Sequence, residues 1–307
     1  MAVTSMSQSS ISNFGKRNTF KKPILTYGSQ EQVVVGGYTY LLFTRSTAFV
    51  IPDVTLPLEI LCVGGGGAGG NNSGGGGGAG AIEGAGPGYY ASQTLSAGEY
   101  TVEVGAGGVS ISGYAPGGDT SFYGTSTITA KGGGGGGYSF NTDGQAGGSG
   151  GGATENNSSR TGGVASGNNT NPGGDANINN ATWGSGAGGG GATVAGTNSS
   201  PNNPGEGGEG LALTTIDTNL TSANFSAFAG MTVISSGGGG SNNRYNSGTL
   251  GTGAVGGTGG GTGCWYGTSY GSTAGTDATS FGSGGGGGPS GLTGQSGYQG
   301  LVIVRYA

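Results

Sequence analysis

The chain has 307 residues, 82 of them glycine, with no histidine and a net charge of −5 from 9 Lys+Arg and 14 Asp+Glu. Charged residues are 7% of the chain against a usual ~25%, which excludes electrostatic binding of nucleic acid, and the missing histidine removes the commonest general base and a frequent metal ligand. No apolar run approaches the ~18 residues of a membrane helix, and two cysteines, Cys62 and Cys264, make no disulfide framework.

Residues 1–32 come first. They carry Lys16, Arg17, Lys21 and Lys22, four of the nine basic residues, and no acid before Glu31. The first twenty residues lack the apolar core of a signal peptide. The expected role of this stretch is a basic docking arm that orders against a partner.

Residues 33–63 read as short strands. The stretches 33–35, 38–43, 49–51 and 58–63 are β-branched or aromatic and are separated by turn residues. In 58–63 the alternation puts Leu58, Ile60 and Cys62 on one face and Glu59, Leu61 and Val63 on the other. Further strands are predicted at 89–95, 98–104, 121–130 and 301–306. No window has a capped helical period, so almost no α-helix is expected.

Only four glycines precede residue 64, and the rest follow in runs: 64–67, 74–78, 132–137, 147–152, 188–191, 237–240, 256–261 and 284–288, some broken by a single Ser or Thr. Collagen needs a strict three-residue repeat and abundant proline; this chain has 9 prolines. Glycine-rich polar sequence without a repeat is commonly disordered. The folded alternative is the polyglycine-II helix, with three residues per turn. Without Cβ atoms such helices approach closely and bond laterally, so that backbone groups satisfy one another. The expected architecture is thus mainly β and irregular, in three stretches: the arm (1–32), a β-rich part with the first glycine runs (33–131), and a polyglycine-II bundle with polar loops and a closing strand (132–307).

Catalytic motifs fail. The many G-x-G-x-x-G matches have no βαβ context, no G-K-[ST] triplet exists, and a serine nucleophile has no histidine base. The chain is therefore not expected to be an enzyme or to hold a metal or cofactor. Cys62 falls in a strand and reads as a small buried hydrophobe; a Cys62–Cys264 bridge stays open as an alternative.

The order of features resembles the glycine-rich domain of bacteriophage tail-fibre tip adhesins and related phage tail proteins. The stretches that carry the resemblance are FVIPDVTLPLEILCVGGGGAGG (49–70), GYYASQTLSAGEYTVEVGAGG (88–108), GGDTSFYG (117–124), ITAKGGGGGG (128–137) and QGLVIVRYA (299–307). The glycine motifs are individually unspecific; their order and the closing strand are more specific. The resemblance implies a virion protein, made in the host cytoplasm, whose distal loops bind a bacterial surface receptor, a glycan or an outer-membrane protein. It implies other virion proteins as partners and a symmetric homo-oligomer, a trimer by analogy. A structural or decoration protein of the virion, or an ice-binding protein, is the alternative. Ice binding needs evenly spaced Thr, Ala or Val, whereas the inter-run segments here vary in length and composition.

Loops on a stiff scaffold carry specificity, and aromatics are efficient anchors. The candidate receptor-binding residues are Tyr138, Phe140, Trp183, Arg244, Tyr245, Trp265, Tyr266 and Tyr270; the candidate docking residues are Lys16, Arg17, Lys21 and Lys22. The competing role for half of these aromatics is to cover the bundle ends. Consecutive runs should point in opposite directions, so that alternate loops share an end; the sequence leaves open which set is distal.

Overall fold

The computed structural model describes residues 30–84, 89–110, 115–139, 142–154, 158–176, 184–200, 203–242, 253–265 and 274–307. In chain order the strands are β1 (Glu31–Val35), β2 (Tyr38–Phe43), β3 (Thr47–Ile51), β4 (Leu56–Val63), β5 (Ile82–Glu83), β6 (Ala91–Leu95), β7 (Gly98–Glu103), β8 (Thr120–Tyr123), β9 (Thr127–Ala130), β10 (Leu211–Ala212), β11 (Val233–Ile234) and β12 (Leu301–Tyr306). Among the described residues helix is confined to α1 (Leu213–Ile216) and one 3-10 turn, Ser226–Phe228. The protein is β-rich and almost without helix, as its lack of helical periodicity predicts.

Two antiparallel sheets form the base. The first has the order β1-β2-β12-β4-β5, with β6 also on β4; the second is β3-β7-β8-β9. The C-terminal strand β12 lies between β2 and β4, with Ile303 opposite both Leu42 and Leu61. Alternation then sorts the side chains. Leu58, Ile60, Cys62, Val302 and Val304 meet Phe49, Val102 and Phe122 of the second sheet. Leu61, Val63, Leu42 and Ile303 face the other way, against Leu213, Phe225, Phe228 and Ile234. Burial of each such side chain contributes roughly 1.5–3 kcal/mol.

Segment 211–234, which supplies that second cover, is not evident in the sequence. Its two strands have two residues each and α1 is a single turn without a side-chain cap, too short for any period to show. The stretch 121–130 is two strands joined by a turn at 124–126. Strand β1 begins at Glu31, two residues before the predicted strand at 33–35, and the Glu31 carboxylate accepts from the Ser226 and Ala227 N–H groups (2.6 and 3.0 Å). Strands and glycine rods interleave along the chain, because the rods leave the sheets and return to them repeatedly.

The rods show three-residue bonding. Along 64–70, Gly64, Gly67 and Gly70 donate to Ala81, Gly78 and Gly75; Gly65 and Ala68 donate to Gly118 and Ala115; Gly66 and Gly69 donate to Tyr298 and Gln295. Each neighbour is thus addressed by every third residue, the signature of polyglycine II. Rod 74–81 is surrounded by six others. It donates to 282–288, 131–137 and 186–192, and accepts from 64–70, 149–152 and 238–241, with N···O distances of 2.7–3.1 Å. This hexagonal packing gives every N–H of the central rod a backbone acceptor. At the perimeter, where a rod has no outer neighbour, side chains substitute. Asp119, Asp143, Asp175 and Asp277 accept from the N–H groups of Gly132, Thr161, Gly162 and Ser296 at 2.6–2.9 Å.

One ionic cluster ties segment 211–234 to the sheet. Arg305 Nε donates to Glu59 at 2.6 Å, and its Nη1 donates to Asp217. Tyr40 Oη also donates to Asp217 (2.6 Å), and Asn219 Nδ2 donates to Tyr40 Oη (3.1 Å). The Arg305 guanidinium lies between the rings of Tyr38 and Tyr90, 4.6 and 4.0 Å from their centroids. Burial first, then the bond to Asp217, raises the pKa of Tyr40. Burial pulls Arg305 down, but the bond to Glu59 and the field of Tyr90 outweigh it and raise it overall.

Candidate recognition face

Rod directions decide which loops share an end. Strand β4 runs straight into 64–70, and 74–81 returns to β5, so turn 71–73 lies at the end away from the sheets. Rod 131–137 leaves β9 and 235–242 leaves β11, both toward that far end. Rod 186–192 is antiparallel to 235–242, with Gly186, Gly189 and Ala192 donating to Ser241, Gly238 and Ser235. Rod 261–264 is parallel to it, with Gly239 and Asn242 donating to Gly261 and Cys264. Ala254 and Gly257 donate back to Gly240 and Gly237, which makes 253–257 antiparallel. The described residues flanking 140–141, 177–183, 243–252 and 266–273 therefore all lie at the far end.

The two ends differ in kind. Toward the sheets, rods are joined by the tight connections 166–170, 192–194 and 258–260, or by the insertions that build the base. The 166–170 turn is fixed there by Asn168, whose N–H and Nδ2 donate to the Glu83 carboxylate at 2.8 and 2.6 Å. The described residues that flank the longer polar segments stand at the other end, with the short turn 71–73.

The centre of the far end is a turn that sequence reasoning missed. Asn71–Ser73 joins two central rods, and Asn72 and Ser73 have φ of 53° and 66°. A left-handed backbone is uncommon for serine, though Ser139 and Ser235 adopt it here as well. The turn is tied to its surroundings: Ser139 N–H donates to the Asn71 carbonyl (3.0 Å) and Gly291 N–H donates to Asn72 Oδ1 (3.1 Å). Beside it, Ser241 Oγ donates toward the Gly74 and Gly288 carbonyls (3.1 and 3.0 Å). The signal in the sequence was the polar triplet Asn-Asn-Ser between two glycine runs.

Of the candidate anchors, Tyr138 and Trp265 are described, and both stand at this end. Tyr138 is half-buried. Trp265 is only 4% exposed and forms a parallel bridge with Asn242; its indole N–H is buried without a partner. Trp265 therefore caps the bundle end in place of offering an open anchor, because its own rod carries it into the packing. Phe140, Trp183, Arg244, Tyr245, Tyr266 and Tyr270 lie outside the described residues, as do Lys16, Arg17, Lys21 and Lys22.

Both cysteines are free. Cys62 sits in the sheet core and Cys264 at the far end of a rod, so the bridge between them does not form. Burial pushes both thiols up, and the nucleophile is the thiolate. Neither cysteine should react with a disulfide reagent at pH 8 in the native protein, and both should react after unfolding; rapid native labelling would contradict this packing. Among the described residues no group of three or more His, Cys, Asp or Glu is placed to hold a metal ion, and no helix is long and apolar enough to cross a membrane.

A family model described as a glycine-rich domain matches residues 44–307. A comparison with curated proteins gives no match.

Proposed function

The chain belongs to the glycine-rich domain family, and from that premise we propose that it is a bacteriophage virion protein, of a tail fibre or tail, that binds a host cell-surface receptor. The single observation that carries this reading is the polarity of the bundle. The sheets occupy one end, and the described residues flanking the long polar loops stand together at the other. A scaffold built this way presents variable chemistry at one end and a constant body behind it. The partner at the loop end is a bacterial surface glycan or outer-membrane protein. The basic arm, with Lys16, Arg17, Lys21 and Lys22, attaches the protein to other virion proteins, in a symmetric assembly for which a trimer is the first model. No catalytic step, nucleic acid or cofactor enters this reading.

The test is adsorption of the protein to host cells. Alanine at Tyr266 and Tyr270 together, with Trp265 left in place, should weaken binding at least about tenfold if either is a hot spot, without moving the unfolding midpoint. Unchanged adsorption would remove that loop from the site and leave a decoration role. Trp265→Ala should instead lower stability, since it empties a packed position.

A further inference from the structure

Arg160 opens a rod that runs down to the 166–170 turn beside Glu83, so it stands at the far end, with the recognition loops. Its backbone is firmly placed. Arg160 and Ala176 exchange two hydrogen bonds of 2.9 Å, and the next two N–H groups, of Thr161 and Gly162, donate to Asp143 and Asp175 at 2.9 and 2.8 Å. Its side chain is not. Among the described residues the guanidinium has no hydrogen-bond or ion-pair partner. Nε is buried in that state, while the two terminal nitrogens are not. The other described basic residues, Arg45, Lys131 and Arg305, lie in or beside the strands of the base.

We propose that Arg160 binds an anionic group, a carboxylate or a phosphate, carried by an acidic polysaccharide of the bacterial surface. A guanidinium already half withdrawn from water and left unpaired is costly, and its planar fork matches the paired oxygens of either anion. The adjoining acids do not meet that need, because Asp143 and Asp175 are turned to the backbone of residues 161 and 162. The surroundings select a sugar over a protein surface. Ser159 and Thr161 are exposed and Ser158 is half-buried, so hydroxyl side chains flank the charge. A protein hot spot packs in a desolvated, well-filled pocket; a cation among hydroxyl groups suits a ligand that is itself rich in hydroxyl groups.

This inference names the receptor chemistry of the face proposed above and rests on that reading. Its test is a titration of the full chain, followed through the Arg160 Nε–H signal in nuclear magnetic resonance. Alginate oligosaccharides supply carboxylates on a sugar chain, phosphorylated dextran supplies phosphates, neutral dextran supplies hydroxyl groups alone, and acetate and inorganic phosphate supply the anions alone. The signal should shift saturably with an acidic sugar at a concentration at least about tenfold below that needed with the free anion, and not at all with neutral dextran. Whichever acidic sugar acts identifies the anion. Arg160→Gln should abolish this binding without moving the unfolding midpoint, and Arg160→Lys, which keeps the charge but loses the fork, should weaken it. No saturable shift with either acidic sugar, an equal response to neutral dextran, or full binding by Arg160→Gln overturns the site, and equal affinity for the free anions overturns the sugar. Sugar binding lost in Arg160→Gln while that variant still adsorbs to host cells normally would instead count against the receptor reading alone.

Discussion

Gly77→Ala should be strongly damaging to the bundle. An ideal Cβ at Gly77 would lie 2.6 Å from the carbonyl carbon of Gly67, and that neighbour is backbone of a rod that is itself held on every side. A side chain can rotate away from an intruding methyl; a hydrogen-bonded peptide in a hexagonal array cannot. The cost should be about 3 kcal/mol or more, read as a fall in the thermal or denaturant midpoint. Gly230→Ala is the matched control. Its φ of +75° strains alanine, but nothing lies within 4 Å, so the loss should be about 1 kcal/mol. Equal midpoints for Gly77→Ala and the native protein would mean that the rods are looser than their bonding implies.

Arg305→Met should cost about 3–5 kcal/mol, because it strands a buried carboxylate. The Asp217 side chain is 5% exposed and would keep only neutral donors, Tyr40 foremost. The other partner behaves differently. Glu59 is 36% exposed, water can replace its bond, and Glu59→Gln should cost about 0–1 kcal/mol. Adding Asp217→Asn to Arg305→Met should recover part of the loss, since the stranded charge is then gone. Urea midpoints of the native protein, Arg305→Met, Asp217→Asn, their double variant and Glu59→Gln measure this directly. Additive losses in the double variant would show that the pair acts separately.

Much of the base could be read from residues. Strand β2 and the closing strand β12 fall at their predicted bounds, and Leu58, Ile60 and Cys62 do pack opposite to Leu61 and Val63. Period-two alternation decides this locally, which is why it is legible. Segment 211–234 was not, because its elements are shorter than any period and its apolar residues find their purpose only against Leu42, Leu61 and Ile303. The candidate site was half legible. Aromatic loops stand out in a polar glycine chain, yet Trp265 turned out to be a packed cap, and the turn at Asn71–Ser73 draws its place from two rods that meet there.

By itself, then, the glycine content of this chain pointed to helices of three residues per turn that associate through their backbones, since only glycine and the smallest side chains tolerate that approach. It also determined that the alternating stretches would make sheets. What only the tertiary structure decided was direction and neighbourhood. Glycine rods carry no side chains to name their partners, so whether 261–264 runs with or against 235–242, and hence which loops share an end, follows from the strands at which each rod begins and from the bonds that close the array.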